Sequence, residues 1–188
     1  AILALRNRNE IRGIHGTIQE LAVVDPGYET ALSVAAGGKM AAVVVDDDQV
    51  AADCIRYLKA QKLGRVTFLP LSKMVGGKPR AKAIMSVKST EGFAIDLIDF
   101  DPKYQNAFWY VLGDTLVVKD MDRARAIMGG IRIVTMAGEV VEASGAMVGG
   151  TLSQKSMMKF GAASEDRLAQ LGEKLRAASD ALADVRSK

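Results

Sequence analysis

The chain has 188 residues, of which 49% are hydrophobic and 25% charged, and it carries a formal net charge of +3. This excludes a disordered chain, suits one compact domain or two small ones burying roughly 70% of the unfolded surface, and permits contact with nucleic acid without arguing for it. A single cysteine, Cys54, and a single histidine, His15, exclude an intramolecular disulfide, a cysteine cluster around a metal and a two-histidine metal site.

The sequence opens on Ala1, and its first residues lack the layout of a signal peptide, so a longer parent chain is expected. No apolar run approaches the ~18 residues of a membrane span, and the lone cysteine favours a reducing compartment. Ile2, Leu5 and Ile11 offer a short apolar seam in residues 1–12.

The body, residues 13–150, contains an internal repeat. Its first copy runs from the helix-like residues 31–38 through Val43-Val-Val45, an acidic triplet and a helical stretch over 49–62 to Gly64-Arg-Val-Thr-Phe-Leu69. The second runs from Ala107-Phe-Trp-Tyr-Val-Leu-Gly113 through Leu116-Val-Val118 and residues 123–128 to Ile131-Arg-Ile-Val-Thr135. Each predicts helix, glycine stop, strand, aspartate start, helix, strand. Gly37 and Gly113 suit the left-handed conformation that ends a helix. The β-branched runs suit strands. Asp47 or Asp48, and Asp120 or Asp122, suit N-caps. A β-α-β order implies parallel strands with a crossover helix. The expected fold is therefore mixed α/β, two similar sheet-and-helix lobes in one body, with Asp99-Phe-Asp-Pro102 at the entry to the second.

Within the first copy, Asp46, Asp47 and Asp48 follow a strand. Such a triplet suits magnesium at a phosphoryl-transfer site, and it equally suits helix capping on a solvated loop. Cys54, inside the crossover helix, reads as a small buried hydrophobe, and lone His15 as structural. Lys59, Lys62 and Arg65 precede a Gly/Pro segment bearing Lys73, Lys78, Arg80 and Lys82 without an acidic residue. Together these cations suit phosphates gripped with salt-dependent affinity, or simply a solvated loop. In the second copy Tyr104, Phe108, Trp109 and Tyr110 share one predicted helix, where core packing is the better reading than base stacking. None of the 18 glycines builds a phosphate loop, because the G-x-x-x-x-G-K-[ST] pattern is missing. The densest run, Ser144-Gly-Ala-Met-Val-Gly-Gly-Thr151, either turns the chain or lets another backbone approach closely. Beyond it, Leu168, Leu171, Leu175, Ala178, Leu182 and Val185 alternate in steps of three and four, a heptad seam that needs a partner helix or else lies on the domain.

In this order the motifs resemble the hinge domain of prokaryotic SMC (structural maintenance of chromosomes) proteins with short stubs of the flanking coiled coil. The resemblance is carried by His15-Gly-Thr-Ile18, Tyr28-Glu-Thr-Ala-Leu32, residues 35–45 and Leu63-Gly-Arg-Val-Thr-Phe-Leu-Pro-Leu71. It continues through Leu112-Gly-Asp-Thr-Leu-Val-Val118 and residues 134–150, and covers nearly all of 11–150. It implies an N-terminal coiled-coil stub at 1–12, a first hinge lobe at 13–98, a second at 99–153, and a C-terminal coiled-coil stub at 154–188.

The resemblance further implies a toroidal homodimer in which lobe one of each chain meets lobe two of the other through paired edge strands. Gly145, Met147, Gly149 and Gly150 are then the expected dimer-interface residues, the glycines letting the strands close up. Val148 stands where the family often has Thr, and Ala137 where it often has an acidic residue, which removes any hydrogen bond from those positions. The implied function is a non-enzymatic dimerisation hinge, without cofactor or metal, that joins two arms of a chromosome condensation and segregation ATPase into a DNA-entrapping ring. The ATP-binding heads would lie elsewhere in the full protein. A cytoplasmic, nucleoid-associated location and kleisin-type and accessory subunits bound through other regions go with that reading. Lys73, Lys78, Arg80 and Lys82 are the expected DNA contact. Two alternatives stay open: a small magnesium-dependent α/β enzyme or regulator using Asp46, Asp47 and Asp48, and a monomeric DNA-binding module.

Overall fold

The structure, a computed structural model, describes residues 1–151 and residue 160. Two copies of one path follow each other. The first is α1 (Ile2–Asn7), β1 (Ile14–Thr17), β2 (Ala22–Val24), α2 (Glu29–Ala36), β3 (Val43–Val45), α3 (Asp48–Ala60) and β4 (Phe68–Pro70). The second is α4 (Ala81–Ser86), β5 (Gly92–Phe93), β6 (Ile98–Phe100), α5 (Gln105–Leu112), β7 (Leu116–Val118), α6 (Met121–Ile127) and β8 (Ile133–Thr135), followed by the hairpin β9 (Val140–Val141) and β10 (Met147–Val148).

The repeat extends to the backbone angles. Gly37 ends α2 at φ 52°, ψ −140°, and Gly113 ends α5 at φ 55°, ψ −140°. The positive φ was expected, but ψ lies far from the left-handed helical value, so each glycine turns the chain abruptly toward the next strand. Asp47 and Asp120 then cap α3 and α6 from extended conformations. Each carboxylate accepts one backbone N–H at 2.9 Å, from Val50 and Arg123 respectively. The neighbouring Asp48 and Asp122 are first-turn residues, where a carboxylate suits the helix dipole.

In lobe one, β3 is central, antiparallel to β1 and parallel to β4; in lobe two, β7 is central, antiparallel to β5 and parallel to β8. The third pairing joins the copies: β2 runs antiparallel to β6 with Val23, the middle residue of one, opposite Asp99, the middle residue of the other. An approximate two-fold axis passes through that pair, and α2 packs beside α5. The lobes also cap each other's helices. Lys39 Nζ donates to the Tyr110 carbonyl in the last turn of α5 at 3.1 Å, and the Arg132 guanidinium donates to the Ala35 carbonyl in the last turn of α2 at 2.7 Å.

Period-two alternation sorts the strands between layers. Val44 and Val117 face a central core with Leu32, Ala35, Met40, Phe108, Val111 and Leu112, shared by both lobes. Val43 and Val45 face an outer cluster of lobe one with Ile2, Leu5, Ala51, Cys54 and Leu58. Leu116 and Val118 face the outer cluster of lobe two with Ala83, Ala124, Ile131, Ile133 and Val141. Cys54 is fully buried there, and burial pushes its thiol pKa up, so it behaves as the small hydrophobe its position suggested.

Two expectations are corrected. The boundary between lobes was expected at residue 99, but α4 and β5 belong to lobe two: β5 pairs with β7, and Ala83 lies in the outer cluster of that lobe. The repeat begins further upstream than its recognisable residues because that half of each copy shares little beyond Gly16 and Gly92, both at positive φ. Ile2 and Leu5 were expected to form a seam for the C-terminal helix; they are buried in the outer cluster of lobe one instead. The expected stub at 154–188 lies outside the described residues apart from Phe160, which is buried in the central core.

Because each cap satisfies one otherwise unpaired N–H, Asp47→Ala and Asp120→Ala should each lower unfolding stability by about 1 kcal/mol. Urea denaturation at fixed protein concentration checks this; unchanged midpoints would show that the helices start without those carboxylates.

Candidate functional site

The two sheets are unequal. Lobe one has three strands in the order β1-β3-β4, and lobe two has five in the order β10-β9-β8-β7-β5. The added hairpin covers the edge of β8, with Val140 opposite Val134 and Val141 opposite Ile133, all antiparallel. Accordingly β8 is buried along its length, whereas in β4 only Leu69 is buried and Phe68 and Pro70 are partly exposed. Among the described residues the outer edges of β4 and β10 carry no strand partner. Their outward N–H and C=O groups are templates for another strand.

The hairpin turns through Glu142 and Gly145. The Gly145 N–H donates to the Glu142 carbonyl at 2.8 Å, and the Glu142 N–H to the Ala146 carbonyl at 2.7 Å. Gly145 takes φ 95° and Gly150 φ 132°, values that favour glycine. Gly149 is not held at such a φ, and a Cβ there would meet Glu139 alone, Cγ at 3.5 Å and Cβ at 3.8 Å, both ordinary contacts. The strand presents Met147 and Val148 to solvent at 50% and 60% exposure. The fold thus gathers Gly145, Met147, Gly149 and Gly150 along one open sheet edge.

The surroundings of the β4 edge were not foreseen in residue terms. Between the C-terminal half of α3 and the loop that follows it, a groove of about 460 Å³ is lined by the three exposed apolar residues Ile55, Leu63 and Val66, by buried Leu58, and by Lys59, Lys62 and Arg65. The three apolar residues are each 37–40% exposed. The visible signal was Leu63 and Val66 inside the Leu63–Leu71 motif, but nothing in the sequence ties them to Ile55, which arrives from α3.

The segment bearing the four expected cations is a strap between lobes, not a free loop. Lys73 approaches Asp48 of lobe one at 3.8 Å, and Asn106 Nδ2 of α5 donates to the Met74 carbonyl at 3.0 Å. Gly77 lies so close to Trp109 that a Cβ would overlap the indole. Arg80 forms a two-pronged pair with Asp114, Nε to Oδ2 and a terminal nitrogen to Oδ1, both at 2.7 Å, and its backbone N–H adds a third bond at 2.9 Å. Lys82 belongs to α4 and donates to the Met128 and Gly129 carbonyls. Lys78 is exposed, and it forms no ion pair among the described residues.

The acidic triplet diverges. Asp46 Oδ1 lies 2.7 Å from His15 Nε2, and the other ring nitrogen is 3.0 Å from the Tyr104 hydroxyl. Asp47 caps α3, and Asp48 faces Lys73. Among the described residues no group of three or more His, Cys, Asp or Glu is placed to hold a metal ion, and no described helix is long and apolar enough to cross a membrane.

The family profile described as "SMC proteins Flexible Hinge Domain" matches residues 11–128. The chromosome partition protein Smc of Gloeobacter violaceus is 46% identical over 145 residues, 77% of this chain and 12% of that protein. The Smc of Bacillus subtilis is 34% identical over 182 residues, 90% of this chain and 15% of that protein. The chain therefore spans only a small part of the length of the relatives it matches. Among solved structures, an asymmetric dimer of the Geobacillus stearothermophilus SMC hinge domain superposes with a TM-score of 0.76 at 32% identity, over 96% of this chain and 74% of that one. The Pyrococcus furiosus SMC hinge domain does so with 0.67 at 39%, over 81% and 84%.

The strap predicts an acid sensitivity. The hydrogen bonds from Arg80 hold the Asp114 carboxyl below its ordinary value of 3.8. A depressed folded-state pKa contributes stability that is complete above the unfolded value and is lost as pH falls through the folded one. The stability gap between wild type and Asp114→Asn should therefore be full at pH 7 and shrink below about pH 3.8. Urea midpoints at both ends of that window check it; a gap independent of pH would refute it.

Proposed function

The chain belongs to the SMC flexible hinge family, and from that premise we propose that it is the segment through which two SMC chromosome partition chains dimerise. The observation that carries this reading is the mismatch between the lobes: lobe two has one hairpin more than the repeat requires and ends on a bare edge, while lobe one ends on a bare edge without it. One chain cannot close both edges on itself, because its lobes are already joined back to back through α2, α5 and the β2–β6 pair. Two chains related by a two-fold axis close both at once, through two identical lobe-one-to-lobe-two contacts.

In that role the segment works by association, and ATP hydrolysis belongs to other parts of the parent protein. It would join two coiled-coil arms into a ring that entraps DNA, in a cytoplasmic, nucleoid-associated protein whose kleisin-type and accessory subunits bind elsewhere. The magnesium-enzyme alternative loses support because Asp46, Asp47 and Asp48 turn to three different partners. Direct DNA contact through the strap narrows to Lys78, since Arg80 is already paired with Asp114 and Lys82 already serves the Met128 carbonyl.

Sedimentation equilibrium tests the dimer. Wild type should run at twice the monomer mass, and Gly149→Val should give folded monomers, because the new side chain fits its own chain and obstructs only an incoming strand. A wild-type monomer at micromolar concentration would overturn the reading. For DNA, Lys78→Gln should lower affinity uniformly across sequences and reduce the salt slope by about one. An unchanged slope would remove the strap as a contact.

A further inference from the structure

We infer that a groove beside the β2–β6 pair docks a basic, partly apolar segment of a partner protein, which brings the cations that this side of the repeat lacks. The inference goes beyond the dimer reading and does not depend on it, because the groove takes in no residue of β4 or of the β9–β10 hairpin.

The approximate two-fold axis through Val23 and Asp99 gives each position near the pair a counterpart. Asp25-Pro-Gly-Tyr28 in lobe one matches Asp101-Pro-Lys-Tyr104 in lobe two, and Glu20-Leu21 matches Asp96-Leu97. Both Asp-Pro turns close in the same way. Asp25 Oδ1 accepts the Gly27 N–H at 2.7 Å, and Asp101 Oδ1 accepts the Lys103 N–H at 3.0 Å. The turns agree, and the charges around them do not.

On one side of the axis the chain supplies its own cations. Lys103 Nζ lies 3.3 Å from the Asp101 carboxylate and 4.8 Å from the centre of the Tyr104 ring. Arg6 of α1 lies 3.5 Å from Glu20. Tyr104 is buried, with its hydroxyl 3.0 Å from His15 Nδ1. On the other side Gly27 holds the place of Lys103, and Glu91 that of His15. Helix α4, the counterpart of α1, has a lysine, but Lys82 donates to the Met128 and Gly129 carbonyls instead. Among the described residues Asp25, Asp96 and Asp99 form no ion pair.

The result is a groove of about 560 Å³ whose apolar part includes Val23, Tyr28 and Leu97 and whose acidic part is Asp25, Asp96 and Asp99. Val23 is 67% exposed, all three carboxylates are exposed, and no lysine or arginine lines the groove. Carboxylates without counterions choose the sign of the occupant. A lysine or arginine lays its stem on apolar surface and keeps its head among carboxylates, and a tyrosine ring adds a cation–π contact. Lys103 already does this over Tyr104. The same carboxylates repel nucleic acid, so the fitting occupant is a protein segment with cations spaced by apolar residues.

Fluorescence anisotropy tests this with a labelled eight-residue peptide alternating lysine and valine, read against one of the same length made of lysine alone. The chain should bind the first at micromolar concentration, about tenfold more tightly than the second, because only the first covers the apolar part. Gly27→Lys copies the lobe-two turn and supplies a cation from within, so it should abolish binding. Asp99→Asn should weaken binding about fivefold. Asp122→Asn, an equal change of charge at an exposed position of α6, should leave it unchanged. Circular dichroism checks folding, and the exposed Asp99 keeps the test standing should Gly27→Lys fail to fold. Equal loss in Asp99→Asn and Asp122→Asn, or equal affinity for both peptides, would reduce the effect to general attraction of cations and overturn the inference. An absence of binding by the lysine–valine peptide would overturn it as well. Sedimentation equilibrium reports the dimer separately, so none of these outcomes touches that reading.

Discussion

The outer edges of β4 and β10, which carry no strand partner among the described residues, govern this structure. A backbone N–H or C=O keeps its hydrogen-bonding demand wherever the chain places it, and a sheet can hand that demand outward but not cancel it. In lobe two it passes from β8 to β9 and from β9 to β10, where it stops at a two-residue strand with an exposed methionine and valine. In lobe one it stops a strand earlier, at β4. Proline, occupying the last position of β4, suits an edge because its ring offers no N–H. The inequality of two otherwise matching lobes is what turns a duplicated unit into one that needs a second copy.

The lobes themselves are not independent. They share one core, and each contributes a cation to the other's helix end: Lys39 to α5, Arg132 to α2. Burial and the nearby Arg132 guanidinium lower the pKa of Lys39, a sign that these two positive groups are held close on the strength of the carbonyls they serve. The His15 ring adds a third tie, linking Asp46 at the end of β3 to Tyr104 at the start of α5. Separating the lobes of one chain would expose Phe108, Leu112, Leu32 and Met40 together, a far larger apolar loss than any single contact at the open edges.

Much of this was legible in the amino acids, and the unread part has a physical cause. The β-α-β halves could be read because a glycine at positive φ, a β-branched run and a capping aspartate leave local marks, which is why Gly37 and Gly113, Asp47 and Asp120 align. The helix-and-strand halves upstream were missed because α1 and α4 are six residues each and share almost no side chains. The glycine-rich edge was visible since its backbone requirements are local. The groove was not, because Ile55 comes from a helix and Leu63 and Val66 from the loop after it, and only the packing of α3 on β3 and β4 brings them together. The cations at 73–82 misled for the opposite reason. Their composition resembled a solvated phosphate grip, but Arg80 is spoken for by an aspartate in another part of the chain, and Lys82 by two carbonyls.

The strap has a mechanical meaning. It is the only covalent route from β4 to lobe two, and it is fastened along its length, at Lys73, Met74, Gly77 and Arg80. Helix α1 is fastened too, through Ile2 and Leu5 in the outer cluster and Arg6 on the His15 carbonyl at 2.8 Å. A pull applied through α1 therefore enters β1, crosses to β3 and β4, and finds no slack inside the chain in which to dissipate. The load arrives at the outer edge of β4, the edge that carries no strand partner among the described residues.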